Sequence, residues 1–314
     1  MKSILTAIKP YLRWFILGGT LFFLLKTFKD RWQEITSVRV DSSGWLMLLG
    51  ALIVTLLAHI WSGWVWTWIL TAFKLSLGTL KGIRVYLITN IAKYLPGNVW
   101  HFYGRITAVN KQENSLGAAT LSVLLEPLLM AAAALLIGLI SAGLGLLETS
   151  FDPKIVVLQI ISLIAVLVGI HPRILNPIIH RLSRSKNKNN AQAAATTNLN
   201  SYPFLPFMGE MGFLVFRGMG FLLTFMALKS VTLTQIPQLI SAFSFAWLFG
   251  LVVPGAPGGL GIFEATVIGL LDDSQFPTAI VLTTVAIFRV ISILAEAIAA
   301  GMAYLSEKIN LKVT

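Results

Sequence analysis

The stretch that decides the fold is residues 251–261, Leu-Val-Val-Pro254-Gly255-Ala256-Pro257-Gly258-Gly259-Leu260-Gly261. An apolar helical pattern over 236–253 runs into it, and a second short helix leaves it and continues to Leu271. Proline withholds a backbone donor and glycine admits dihedrals closed to other residues, so the helix breaks there. Inside a bilayer, broken backbone is tolerated only where it is buried in protein or lines a wet cavity. An interfacial loop between two full spans is the alternative. Six consecutive residues of Pro, Gly and Ala suit close backbone packing and favour a hairpin that re-enters the membrane near 236–271.

The composition puts that break in a membrane. The chain has 314 residues, 56% hydrophobic and 12% charged, with a mean hydropathy of +0.80. A soluble domain of this length would have too few polar residues to cover its surface, so lipid is part of the solvent. A spanning helix needs about 20 mostly apolar residues. Six segments qualify, at about 12–28, 45–70, 115–147, 154–170, 203–229 and 276–306. Lys26, Lys29 and Arg31 follow the first directly, with no small-residue cleavage pattern, so it is read as a retained span.

The net charge of +11 reflects loop Lys and Arg, which set orientation and meet anionic headgroups. Nucleic acid is excluded as a partner, because no basic segment interleaves aromatics. The absence of cysteine removes disulfides, thiol catalysis and zinc–thiolate sites. His59, His101, His171 and His180 lack metal-ligand spacing and are read as structural, with only His101 near a candidate site. The glycine run lacks the Lys-Ser/Thr that ends a phosphate-binding loop. No cofactor and no metal are expected.

A weaker helical pattern over 76–94, too charged to face lipid throughout, stops at Pro96-Gly97. A shift of 158 residues carries Pro96-Gly97 onto Pro254-Gly255, the second span onto the fifth and the third onto the sixth. The polar region 171–201, a short amphipathic surface helix followed by an Asn/Ala-rich loop, carries five basic side chains and no acid, which places it in the cytoplasm. The two hairpins then enter from opposite faces. The expected architecture is an all-α polytopic membrane protein with an inverted three-plus-three repeat. Residues 1–150 form one half, with a re-entrant hairpin near 76–113, and residues 151–314 the other.

Paired Gly/Pro interruptions point to a binding site near the bilayer midplane. The backbone N–H groups where the half-helices restart, at Val99 and Leu260, are a seat for an anion. Charged residues at membrane depth face a partner or a watery route. Arg105 and Glu126 follow the first break, and Glu264 and Arg289 the second. They either meet a lipid phosphate or lock helices together as ion pairs. Arg217, Glu210 and Glu296 are further intramembrane candidates, Arg217 the best of them, with an interfacial place the alternative for Glu210 and Glu296. Trp61, Trp64 and Trp68 share a helical face, as an interfacial belt or as a wall for a headgroup. The substrate-binding set is Lys93, Pro96, Gly97, Asn98, Arg105, Glu126, Arg217, Pro254, Pro257, Gly258, Gly259, Glu264 and Arg289. No catalytic residue is expected.

Lys93-Tyr94-Leu95-Pro96-Gly97, Arg105, Gly117 and Leu125-Glu126, with Pro254, Pro257 to Gly261, Glu264 and Arg289, resemble the two signatures of the transmembrane domain of lysylphosphatidylglycerol synthases and their stand-alone relatives. The resemblance spans nearly the whole chain. It implies a flippase that carries aminoacylated phosphatidylglycerol, or a link to polyprenyl-phosphate sugar metabolism, in the bacterial cytoplasmic membrane. The soluble synthase domain is absent, so aminoacyl transfer is not implied. Asn98-Val99-Trp100 is less glycine-rich than the signature, and Pro127 stands where a basic residue is common. The expectation is a lipid transporter rather than an enzyme. An intramembrane transferase, or an accessory subunit of a separate synthase, is the alternative, and a homo-oligomer or a synthase partner fits the transporter.

Overall fold

The structure is a computed structural model, and it describes residues 26, 29, 30, 32–95, 99–144, 153–177, 199, 201–253 and 257–313. The expected first span, most of the 171–201 region, Pro96 to Asn98 and Pro254 lie outside the described residues. Every longer element described is a helix: α1 (Trp32–Ser37), α2 (Ser42–Ala72), α3 (Thr79–Asn90), α4 (Trp100–Glu113), α5 (Leu116–Leu144), α6 (Pro153–Gly169), α7 (Phe204–Met226), α8 (Ile236–Val252), α9 (Ile262–Leu270) and α10 (Thr278–Val313). Short 3₁₀ turns cover Ile91–Tyr94 and Pro257–Gly259. Four helices, over Ser42–Ala72, Leu116–Ser141, Phe204–Met226 and Thr278–Lys308, are long and apolar enough to cross a membrane, and shorter apolar helices accompany them. The protein is an all-α, multi-pass membrane protein.

Local chemistry sets the boundaries. Asp41 caps α2 by accepting the Gly44 N–H at 2.6 Å and the Ser43 hydroxyl at 2.8 Å. The Gly44 amide, with help from Ser43, holds its carboxyl below the usual carboxylate range. α4 ends on Asn114 in the left-handed region at φ 47°, where Asn is among the few side chains tolerated. α3 and α4 pack together as one broken hairpin, and α8 and α9 as another.

α2 and α7 pack lengthwise at the centre. α5 runs along α8, and α10 along α3, so each long helix supports the hairpin from the other half of the chain. α2 also meets α10, and α7 meets α5. The α2–α7 seam is close because α7 presents glycine to α2. A Cβ on Gly209 would lie 2.6 Å and 2.8 Å from the Val65 methyls and 2.9 Å from the Trp68 ring. Trp61 Nε1 donates to the Gly209 carbonyl at 2.7 Å, and Trp61, Trp64 and Trp68 form an edge-to-face cluster with centroids 5.2–5.8 Å apart. These tryptophans therefore serve the helix seam, and Trp64 is also exposed on the outer surface.

Gly209→Ala is expected to lower the thermal midpoint in detergent, at a cost of about 1–3 kcal/mol from overpacking a seam with no slack. Gly143→Ala, with nothing within 4 Å of the added carbon, is expected to leave it unchanged or raise it.

Candidate functional site

Among the described residues, the charged side chains of the interior fall into three ion pairs and two residues without an ionic partner. Each pair ties a broken hairpin to a long helix. Arg105 on α4 bonds Glu126 on α5 through NH1 and Oε2, with the two side chains 2% and 4% exposed. The Tyr86 hydroxyl donates to the other Glu126 oxygen at 2.7 Å. The Arg105 guanidinium lies over the Tyr86 ring at 3.8 Å and reaches Asn90 at 3.4 Å. Tyr86 and Asn90 stand on α3, so this one group joins α3, α4 and α5.

The second pair serves the second break. Arg289 on α10 donates to Glu264 Oε1 from Nε at 2.9 Å and from NH2 at 2.6 Å. Its third nitrogen donates to the Gly258 carbonyl at 2.9 Å. Glu264 turns its other oxygen to the Gly261 N–H, 2.7 Å away, in the manner of a capping box. One of the N–H groups at this helix start, that of Gly261, is thus taken by the chain's own carboxylate. Arg289 lies eleven residues after Thr278, so Gly258 is anchored about 16 Å along the last span.

The third pair links the halves. Lys93 Nζ, in the 3₁₀ turn after α3, donates to Glu296 Oε1 on α10 at 2.6 Å, and His59 Nε2 lies 3.2 Å from the same oxygen. Glu296 and Glu210, intramembrane candidates with an interfacial place as the alternative, are 3% and 0% exposed. Both are interior residues, because the packed faces of α7 and α10 carry them inward. Position in the chain alone does not show which way a helix faces. The two breaks also touch. Gly258 sits at φ +60°, and a Cβ there would come 3.0 Å from the Tyr94 ring.

Arg217 on α7 is 4% exposed and makes no ion pair among the described residues. Its NH2 donates to Ser292 at 3.0 Å, while Nε and NH1 have no partner. The guanidinium lies 5.2 Å from the Trp247 ring and 4.7 Å from Phe288. Glu210 has neither oxygen hydrogen-bonded.

A cavity of about 300 Å³ opens among these groups. Of the sequence-derived set, Lys93, Arg105, Glu126, Arg217, Gly258, Gly259 and Arg289 line it. Glu264 lies behind Arg289, and only the backbone of Pro257 is described. None of the clustered tryptophans lines it, which removes them as a headgroup wall. His59, Asn90, Tyr86, Trp247 and Ser292 line it too and were missed from the sequence. One signal was available: Arg289, Ser292 and Glu296 recur at i, i+3 and i+7, a polar stripe on an apolar helix. Among the described residues no three His, Asp or Glu side chains gather to hold a metal ion.

The family model for the lysylphosphatidylglycerol synthase TM region matches residues 12–300 of the chain. No curated protein matches it.

Arg105→Met leaves the Glu126 carboxylate buried without its partner and is expected to cost about 3–5 kcal/mol of stability. Arg105→Met with Glu126→Met removes both charges and is expected to recover most of the loss. Glu210→Met, which deletes a buried group without hydrogen bonds, is expected to stabilise by about 1–3 kcal/mol. Thermal midpoints of the purified proteins check all three.

Proposed function

The chain belongs to the lysylphosphatidylglycerol synthase TM region family, and on that premise we propose that it moves a phospholipid or lipid-linked anion between leaflets, holding the headgroup at Arg217. The observation that carries the proposal is a buried guanidinium with two partnerless nitrogens on the wall of a cavity. A charge in such a place is costly without a counter-ion, and a phosphate oxygen offers the forked, charge-assisted contact that a guanidinium favours. Arg105, Arg289 and Lys93 already have carboxylates. They hold the walls, and Arg217 is the receptor.

The packing supports an inverted repeat as the scaffold. Exchanging α2, α3, α4 and α5 with α7, α8, α9 and α10 turns the α5–α8 contact into the α10–α3 contact, and α2–α10 into α7–α5. Each half also carries one Arg–Glu pair, from the helix after its break to the long helix that follows, with the order of charge reversed. We read residues 1–150 and 151–314 as the two halves, with both hairpins re-entrant. The anchoring of Gly258 about 16 Å along the last span supports a tip at membrane depth. Rocking of one half on the other would then expose the cavity to each side in turn. The chain acts without covalent chemistry, in a bacterial cytoplasmic membrane, on an aminoacylated phosphatidylglycerol or a polyprenyl phosphate.

Leaflet exchange of labelled phosphatidylglycerol, its lysyl ester and a short polyprenyl phosphate in liposomes tests this. Arg217→Gln is expected to slow exchange of the preferred lipid at least about tenfold, the loss of a charge-assisted hydrogen bond, with the thermal midpoint kept. Exchange by Arg217→Gln at the wild-type rate would refute the headgroup site. Recovery of a chemically altered lipid would make the protein an enzyme.

A further inference from the structure

We propose that the cavity selects a lipid whose headgroup ends in a bare phosphate, a phosphomonoester, and that the Trp247 indole N–H receives this phosphate together with Arg217. The selection rests on the lipid-carrier reading above and deepens it. Hydrogen-bonding capacity left unmet on a cavity wall marks what a ligand must supply. Among the described residues, the buried polar atoms of the wall without a hydrogen-bond partner are Nε and NH1 of Arg217, Nε of Arg105, Nε1 of Trp247, Nε2 of His59 and Nδ1 of His101. All are nitrogens. The guanidinium and indole nitrogens can only donate, while an imidazole nitrogen takes either part. The buried oxygens without a partner, on Thr55, Gln159, Glu210, Gln238 and Glu296, all belong to residues off the wall.

The acceptors on the wall are already engaged. Glu126 accepts from Tyr86 with one oxygen and from Arg105 with the other. Asn90 Oδ1 accepts from Arg105 at 3.4 Å, and the Gly258 carbonyl accepts from Arg289. The Ser292 hydroxyl accepts from Arg217 and donates to the Phe288 carbonyl at 2.7 Å. Aromatic faces that could hold a headgroup ammonium are also taken. Arg105 lies over Tyr86, Arg217 lies against Trp247 and Phe288, and Arg289 lies over Phe263.

A terminal phosphate brings acceptor oxygens and, at neutral pH, roughly two negative charges, which suits guanidinium and indole donors. A glycerol headgroup brings hydroxyl donors instead, and a lysyl ester brings an ammonium. That ammonium meets the like charges of Lys93, Arg105, Arg217 and Arg289 on the wall. A site rejects a ligand most strongly when buried polar groups are left unpaired. Trp247 is placed to share the phosphate, because its ring lies 5.2 Å from the Arg217 guanidinium. Phe213 and Phe243 brace the indole, with centroids 5.5 Å and 6.2 Å away. A braced ring presents its N–H with little further loss of freedom on binding.

Leaflet exchange in liposomes is compared for dioleoyl phosphatidic acid, dioleoyl phosphatidylglycerol and its lysyl ester, whose hydrocarbon chains are identical. Uptake of labelled inorganic phosphate is measured alongside. Phosphatidic acid is expected to exchange at least about tenfold faster than the lysyl ester, the loss of a charge-assisted hydrogen bond, with no uptake of inorganic phosphate. Exchange of the lysyl ester as fast as phosphatidic acid would overturn the selection and leave the carrier reading intact. Uptake of inorganic phosphate without lipid exchange would keep the terminal-phosphate site and overturn the lipid as its source. Neither exchange nor uptake would overturn both readings. Trp247→Phe keeps the ring and removes the N–H. It is expected to slow phosphatidic acid about tenfold, to narrow its lead over the lysyl ester and to keep the thermal midpoint. Equal slowing of all three lipids would assign Trp247 to packing and overturn its part in the site.

Discussion

Carbonyl and amide groups released where a helix stops inside a bilayer have no water to satisfy them, and each left bare costs several kcal/mol. Buried among packed helices, the groups released at the second break are met by interior charges. Arg289 holds the Gly258 carbonyl, and Glu264 holds the Gly261 amide. These two side chains in turn hold each other. The first break is tied differently, through Lys93 to Glu296 on the last long helix. Because Tyr94 rests on Gly258, the two breaks stabilise one another, and disturbing either tether disturbs both.

The halves solve the packing problem with different chemistry. In the second, Phe221, Phe243, Phe263 and Phe288 gather with centroids 5.5–6.3 Å apart and join α7, α8, α9 and α10. In the first, a polar chain runs from Ser62 through Tyr86 and Glu126 to Arg105. An aromatic cluster needs no counter-charge and tolerates small shifts, whereas a buried hydrogen-bonded network is costly when one member is missing. The cavity lies between a compliant wall and an exacting one.

Pairing also sets the character of the cavity. Three cations on its wall are matched by Glu126, Glu264 and Glu296, which leaves Arg217 as the lining arginine without an ion pair among the described residues. The same count separates the roles that a sequence reader would assign to all the arginines together. Arg105 and Arg289 are each held by a carboxylate, and Arg217 is held by the Ser292 hydroxyl alone.

Most of the architecture was legible from the residues. Hydropathy marked the long helices, and the Pro/Gly breaks located both hairpins, because the bilayer imposes length and internal hydrogen bonding on any segment within it. Arg105, Glu126, Glu264 and Arg289 stood out because charge in apolar sequence is rare. The reading left Glu210 and Glu296 open between membrane depth and an interface and passed over His59 and Ser292, since depth along the chain does not reveal facing. Sequence by itself determined that this chain is helical, spans a membrane and breaks two of its helices. Only the tertiary structure decided which interior charges pair and which, Arg217 and Glu210, do not. That outcome depends on side chains from α7, α8 and α10 meeting within a few ångströms, and no local pattern encodes distances between helices far apart in the chain.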